Sequence, residues 1–272
     1  MNEFLYELSD WSYDNPTFTL PAKKNQWASY GFDVSIRVEN WLMAYYSVLG
    51  SGSWTGSANS LMLYKLTQQG DVLNSVAASL TDFTNNRSIS IGRSAMYLGV
   101  LLPELNTGAE WETRGRNTVY ASMDGQLYDD GSHREQSPGY AVNVVDDLVE
   151  ARRLDAVNNN SWDSKYLTKL ENAIDAVWQQ LSPNGNRPAI GDTYRVSAST
   201  IFLKSALTLG ETKWPEAKPR PRDAWLFGTS AINSHLGNPL NPTLGSRGDT
   251  FAMEDSGNYV LRLSLIHISE PT

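Results

Sequence analysis

The chain has 272 residues, 40% hydrophobic and 19% charged, enough to bury a sizeable core as one large domain or two small ones. A formal net charge of −8 excludes a nucleic-acid partner, which needs a basic stripe; a polyanionic sugar stays open, since a few arginines can set a local field against the net charge. Cysteine is absent, which excludes disulfides and thiol chemistry, and the three histidines are too scattered for a histidine-rich metal site.

No apolar run reaches transmembrane length, so no membrane partner is expected. Residues 1–15 carry Glu3, Glu7, Asp10 and Asp14 and no basic run, so they do not form a secretory signal. Residues 1–8 look like the inside of a helix, and the start is expected to be artificial.

A helical face follows at Val34, Val38, Trp41, Leu42 and Tyr45, with Arg37 and Asn40 one turn apart on the same segment. Residues 87–102 form a second helix, with Ile91, Ala95, Leu98 and Leu102 in phase before Pro103. The clearest periodicity is Leu167, Leu170, Ile174, Val177 and Leu181, stopped by Pro183-Asn184-Gly185. Residues 199–209 make a shorter helix closed by Gly210. Connectors such as Gly50-Ser51-Gly52-Ser53 and Asn158-Asn159-Asn160 separate them. Antiparallel helix pairs with short loops predict an all-α array curving into a toroid or bundle. Most of the nine tryptophans are expected as core filler, the alternative being stacking on sugar rings.

Beyond residue 211 the pattern breaks at Pro215, Pro219, Pro221, Pro239 and Pro242, and residues 257–263 alternate like a strand. A lone strand needs partners, so a truncated β-domain is expected to begin here, its open edge inviting association. Residues 264–272 resemble translated sequencing adapter and are expected to be foreign to the protein, His267 with them. The expected organisation is 1–210 helical, 211–263 connector and first strand, and 264–272 a non-native tail.

The segment Asp129-Asp130-Gly131-Ser132-His133-Arg134-Glu135-Gln136-Ser137-Pro138-Gly139-Tyr140 holds far more proton-moving and hydroxyl-binding groups than a chain reversal needs. It lies between two helical segments, at a helix mouth. On the residues alone, Tyr140 is a packed tyrosine at a helix start, and His133 is a surface-loop bystander or a base. Asn85 or Asn86 caps the helix that begins near Arg87.

Four motifs occur in one order: Trp27; Ser35-Ile36-Arg37-Val38-Glu39-Asn40-Trp41; Asn85-Asn86-Arg87 leading into Gly99-Val100-Leu101-Leu102-Pro103-Glu104; and residues 130–140. Together they resemble the heparinase II/III-like polysaccharide lyases, and residues 255–262 resemble the entry to that family's C-terminal β-sandwich. The resemblance implies an incomplete (α/α) toroid and β-elimination across a uronic-acid residue of an acidic polysaccharide, with no metal or cofactor required. It also implies a periplasmic or secreted location. By the same resemblance Asn86, or its neighbour Asn85, binds the substrate carboxylate and Tyr140 transfers protons, with His133 as second choice. Arg87 stands where relatives often carry histidine, and can still pair with a carboxylate. Ala141 likewise replaces a histidine common after the tyrosine. Glu135 and Gln136 orient the loop or bind hydroxyls. Arg37 and Asn40 meet substrate acids or, equally, pair internally. Asp192 lines the cleft or caps the next helix. The family's other catalytic histidine has no match here, His235 being a poor candidate.

An inverting glycosidase using Asp130, Glu135 and Asp192 is the alternative enzyme, and a non-catalytic glycan-binding toroid the alternative without turnover. The Asn85-Asn86 turn and the 130–140 loop are expected to face one cleft.

Overall fold

Side-chain caps and in-phase apolar residues mark out ten helices and one two-stranded sheet among the described residues. The structure, a computed structural model, describes residues 2–16, 30–194, 197–211, 213–214, 217, 219–237 and 250–262. Trp27, Pro215, Pro239, Pro242, Leu263 and the 264–272 tail with His267 lie outside them. The chain divides into two compact units, Met1–Gly125 and Gln126–Thr272.

The first unit carries α1 (Asn2–Asp14), α2 (Gly31–Val48), α3 (Gly56–Ser79), α4 (Asn86–Leu101) and α5 (Gly108–Gln126). Its core is built from in-phase stripes: Val34, Val38 and Leu42 of α2, Met62, Leu66 and Leu73 of α3, and Ile91, Ala95 and Leu98 of α4. Thr55 caps α3 by accepting the Ala58 N–H at 3.2 Å. Glycine sets how closely α4 and α5 approach. A β-carbon on Gly99 would lie 2.4 Å from the Gly108 carbonyl oxygen and 2.5 Å from the Glu112 nitrogen. Glu39 ties α2 to α4, accepting from Arg93 Nε at 2.9 Å, Arg93 Nη2 at 2.5 Å and Ser94 Oγ at 2.6 Å.

The second unit carries α6 (Pro138–Val157), α7 (Ser164–Gln180), α8 (Ser199–Leu209), α9 (Pro221–Phe227) and α10 (Thr229–Gly237). The α7 stripe is the one read from the sequence. Asp163 starts the helix by accepting the Lys165 N–H at 2.8 Å, and Gly185 (φ 76°) follows in the stop turn. α8 pairs with α6 through Lys204, which reaches Asp146 at 2.9 Å and Glu150 at 2.8 Å. Trp111, Trp162, Trp178 and Trp214 are buried, in keeping with core filler. No helix among the described residues is long and apolar enough to cross a membrane.

Two expectations for the C-terminal part are corrected. Pro221 does not break a helix but begins one, at the first turn of α9, where its missing N–H costs nothing. The predicted strand is not alone either: β2 (Asn258–Leu261) pairs antiparallel with β1 (Thr250–Met253), Thr250 opposite Leu261 and Met253 opposite Asn258. The hairpin docks by burying Met253 and through Arg262, which bonds Gln179.

Candidate functional site

The sequence-predicted residues fall into two clusters, one in each unit. In the first, Asn85 occupies the N-cap of α4 with extended backbone, and its Oδ1 accepts the Arg87 N–H at 3.1 Å. The capping role expected of one asparagine therefore belongs to Asn85. Asn86 begins the helix, half-buried, and makes no side-chain hydrogen bond among the described residues. Its amide stands at the positive end of α4, where an anion is favoured. Arg87 is exposed; its Nη1 donates to the Tyr30 hydroxyl at 2.6 Å and its guanidinium lies 5.9 Å from the Tyr30 ring. Tyr30, just before α2, has no sequence signal that marks it.

Arg37 and Asn40 separate in role. Arg37 Nε donates to Gln69 Oε1 at 2.7 Å, and the guanidinium lies 4.7 Å from the Trp11 ring. Burial lowers its pKa to about 10, with Asp33 acting in the opposite direction. Of the two roles left open, internal pairing is the one seen. Asn40 is exposed and donates to the Ile36 carbonyl one turn back.

The second cluster is the loop between α5 and α6. Asp130 shapes it: its Oδ1 accepts the Ser132 N–H at 2.9 Å and the Ser132 hydroxyl at 2.5 Å. Gly131 turns at φ 84°, and a β-carbon there would meet the Asn172 carbonyl of α7 at 2.1 Å, so glycine serves both conformation and packing. Glu135 and Gln136 are exposed. Gln136 sits in the left-handed region (φ 52°) and donates to the Ser256 carbonyl at 3.3 Å. The hairpin turn thus braces the loop, a relationship 120 positions apart that no local pattern announces.

Tyr140 lies in the first turn of α6, and its hydroxyl donates to Asp192 Oδ2 at 3.2 Å. Asp192 does not cap the next helix, which starts with Ala198 at its N-cap. It sits instead in a loop that grips the start of α6. Thr193 Oγ1 accepts the Gly139 N–H at 2.8 Å, and Ser137 Oγ donates to the Asp192 carbonyl at 3.2 Å. A phenol held by a carboxylate is oriented, and its proton has a ready acceptor.

His133 is not on the surface as read from the sequence. It is buried, 4% exposed, because Leu127 and His133 form a bridge that folds the loop back on itself. Its Nε2 faces Gln126 Oε1 at 3.4 Å, and burial lowers its pKa from 6.5 to about 4. At neutral pH the imidazole is uncharged, fitting an acceptor better than an acid.

The family model described as Heparinase II/III N-terminus matches residues 1–217. A heparin-sulfate lyase of Bacteroides thetaiotaomicron is 24% identical over 177 residues, 64% of this chain and 24% of the relative. The crystal structure of heparinase III superposes with a TM-score of 0.69 at 21% identity, covering 78% of this chain and 34% of that one. A heparan sulfate lyase from Pedobacter heparinus gives a TM-score of 0.63 at 22% identity, over 84% of this chain and 34% of that one. The chain therefore spans about a quarter of the curated relative's length and about a third of the solved chains. The structural likeness establishes the fold: the all-α class and the incomplete (α/α) toroid expected from the sequence.

Proposed function

The chain belongs to the heparinase II/III family, and from that premise we propose that it carries the toroid part of a polysaccharide lyase acting on a uronic-acid-containing acidic polysaccharide. The observation that carries the reading is the Tyr140 hydroxyl held at 3.2 Å by Asp192, at a helix mouth inside the family-matched region. The name of the Bacteroides relative makes heparin and heparan sulfate the first polymers to test. A polymer of this kind is met outside the cytoplasm, so a periplasmic or secreted location is part of the proposal.

The chemistry assigns each group a task. The proton at C5 of the uronate lies next to a carboxylate, whose charge opposes carbanion formation. The Asn86 amide, at the positive end of α4, hydrogen-bonds that carboxylate and disperses charge as it builds. Arg87 adds a cation one residue on. The C5–H electron pair becomes the C4=C5 double bond, the C4–O4 bond breaks, and O4 takes a proton. Tyr140 is the proton carrier: with its phenol proton passed to Asp192, the phenolate oxygen takes the C5 proton and returns it to O4 as the C4–O4 bond breaks. His133, buried and neutral, is placed to shape the loop rather than to deliver protons. The hydrolase alternative is less well served: Asp130 has both carboxylate oxygens engaged by Ser132 and Asp255.

The test is an assay against heparin, heparan sulfate, hyaluronan and alginate. It uses the 272-residue chain and the longest open reading frame that contains it. Unsaturated uronate, seen as new ultraviolet absorbance, is expected from the longer product and not from residues 1–272 alone. New reducing ends without that absorbance would transfer the protein to the hydrolases.

A further inference from the structure

Beneath the loop of residues 127–137 lies a small polar cavity, about 50 Å³, whose lining includes His133, Ser137, Gln180 and Asn258. Its floor is buried, with His133 4% and Ser137 5% exposed, while Ile190 at its edge is 61% exposed. That is room enough for an ordered water molecule, which needs only about 10–15 Å³ of such space.

One atom here is left without a partner. His133 Nδ1 is buried and makes no hydrogen bond. Gln126 presents an oxygen to Nε2 at 3.4 Å, and the tautomer that satisfies this contact puts the proton on Nε2 and leaves Nδ1 a bare lone pair. The neighbouring hydroxyl protons are committed elsewhere. Ser132 Oγ donates to Asp130 Oδ1, and Ser137 Oγ donates to the Asp192 carbonyl or shares its proton with Thr193. Among the amides, Gln136 donates to the Ser256 carbonyl and Asn258 to Ser256 Oγ. A buried acceptor left unsatisfied loses its hydration with nothing in return, and such atoms in native proteins normally meet ordered water or a ligand.

We propose that this cavity is a hydroxyl-binding hole, in which His133 Nδ1 accepts a hydrogen bond from a single O–H group. The occupant is water when the site is free and a neutral hydroxyl of the sugar when substrate is bound. An anion is disfavoured, because a lone pair offers it no donor. Gln180 and Asn258 line the same cavity; Gln180 Nε2 already donates to the Ala176 carbonyl at 3.1 Å and Asn258 Nδ2 to Ser256 Oγ at 3.0 Å, so their side-chain oxygens are the acceptors for a water's second proton. Its lining joins the loop, α6, α7 and the hairpin, so the occupant fixes His133 relative to the turn that carries Tyr140. The sugar arm rests on the lyase reading; the water arm does not.

Nitrogen-15 NMR of the imidazole tests this directly. His235→Gln with His267→Gln leaves His133 as the one labelled ring, and the unsubstituted chain must show the same signal among three, which controls for misfolding. The expected spectrum shows Nε2 protonated and Nδ1 displaced from the position of a free acceptor nitrogen, in the chain alone. A displacement appearing only when a uronate-containing disaccharide is added supports the hole with the sugar as its donor. A protonated Nδ1, or an Nδ1 at the free-acceptor position with and without the disaccharide, overturns the proposal. Neither result depends on turnover, so it fails or stands separately from the lyase assay.

Discussion

Asp130 and Asp255 hold each other reciprocally. The Asp130 N–H donates to Asp255 Oδ2 at 3.1 Å, and the Asp255 N–H donates to Asp130 Oδ2 at 2.9 Å. Each carboxylate is held by the other residue's backbone amide. Asp255→Asn keeps an oxygen acceptor and removes like-charge repulsion, so its stability should match or slightly exceed wild type. Asp255→Ala loses the acceptor and should cost about 0.5–1.5 kcal/mol, the usual net worth of a hydrogen bond. Urea unfolding of the three proteins checks the order; a stable Ala variant would show the clasp to be idle.

The two adjacent asparagines should separate cleanly. Asn85→Ala removes the N-cap of α4 and should cost about 1 kcal/mol of stability with turnover per folded molecule little changed. Asn86→Ala should leave thermal stability nearly intact and depress kcat/KM in the active form. Melting curves paired with initial rates read both. The reverse pattern would exchange the assignments.

Tyr140→Phe keeps the ring and deletes the hydroxyl that meets Asp192. Elimination should fall by roughly 10²–10⁴-fold, the span for a general acid–base group, with polymer binding retained. Asp192→Asn leaves an oxygen to accept the phenol proton, so a smaller loss in kcat is expected than for Asp192→Ala. Wild-type rates in the Phe variant would remove Tyr140 from the mechanism.

Gly99→Ala tests the helix contact in the first unit. The new methyl would press on the Gly108 carbonyl and the Glu112 nitrogen, backbone atoms that cannot swing aside. Overpacking of this kind costs about 1–3 kcal/mol, against about 1 kcal/mol gained in helix propensity. A lowered melting temperature is expected. Gly52→Ala, where a β-carbon meets nothing within 4 Å, should be near neutral and serves as the control.

Local patterns in the sequence were enough for the elements that carry their own signals. α7 shows its stripe and its Pro183-Asn184-Gly185 stop, and α8 ends at Gly210 as read. α3 went unread because Lys65 and Gln69 are buried beside its apolar stripe, held by contacts outside the helix. β1 escaped notice because Thr250-Phe251-Ala252-Met253 does not alternate polar with apolar residues. The candidate site was legible as a list of residues but not as a set of pairs. Asp130 meets Asp255 across 125 positions and Tyr140 meets Asp192 across 52, and no periodicity links partners so far apart. The burial of His133 was hidden for the same reason, since it follows from the loop closing on Leu127 and packing beside α7 and the hairpin.

That burial makes a pH prediction with a definite sign. His133 has its pKa lowered from 6.5 to about 4 by desolvation. Between these values the unfolded chain binds a proton that the folded chain refuses, so stability rises with pH across the window. The His133 contribution is fully present above about pH 6.5 and is lost as pH falls toward 4. With about 1.4 kcal/mol per pKa unit, the loss is at most about 3–4 kcal/mol. His133→Gln removes the titration. Urea unfolding between pH 7 and pH ~4.5 should show the wild type losing stability faster than the variant as acid is added. Parallel decline of the two proteins would mean that His133 titrates in the folded state as it does in the unfolded chain, and that its side chain is open to solvent.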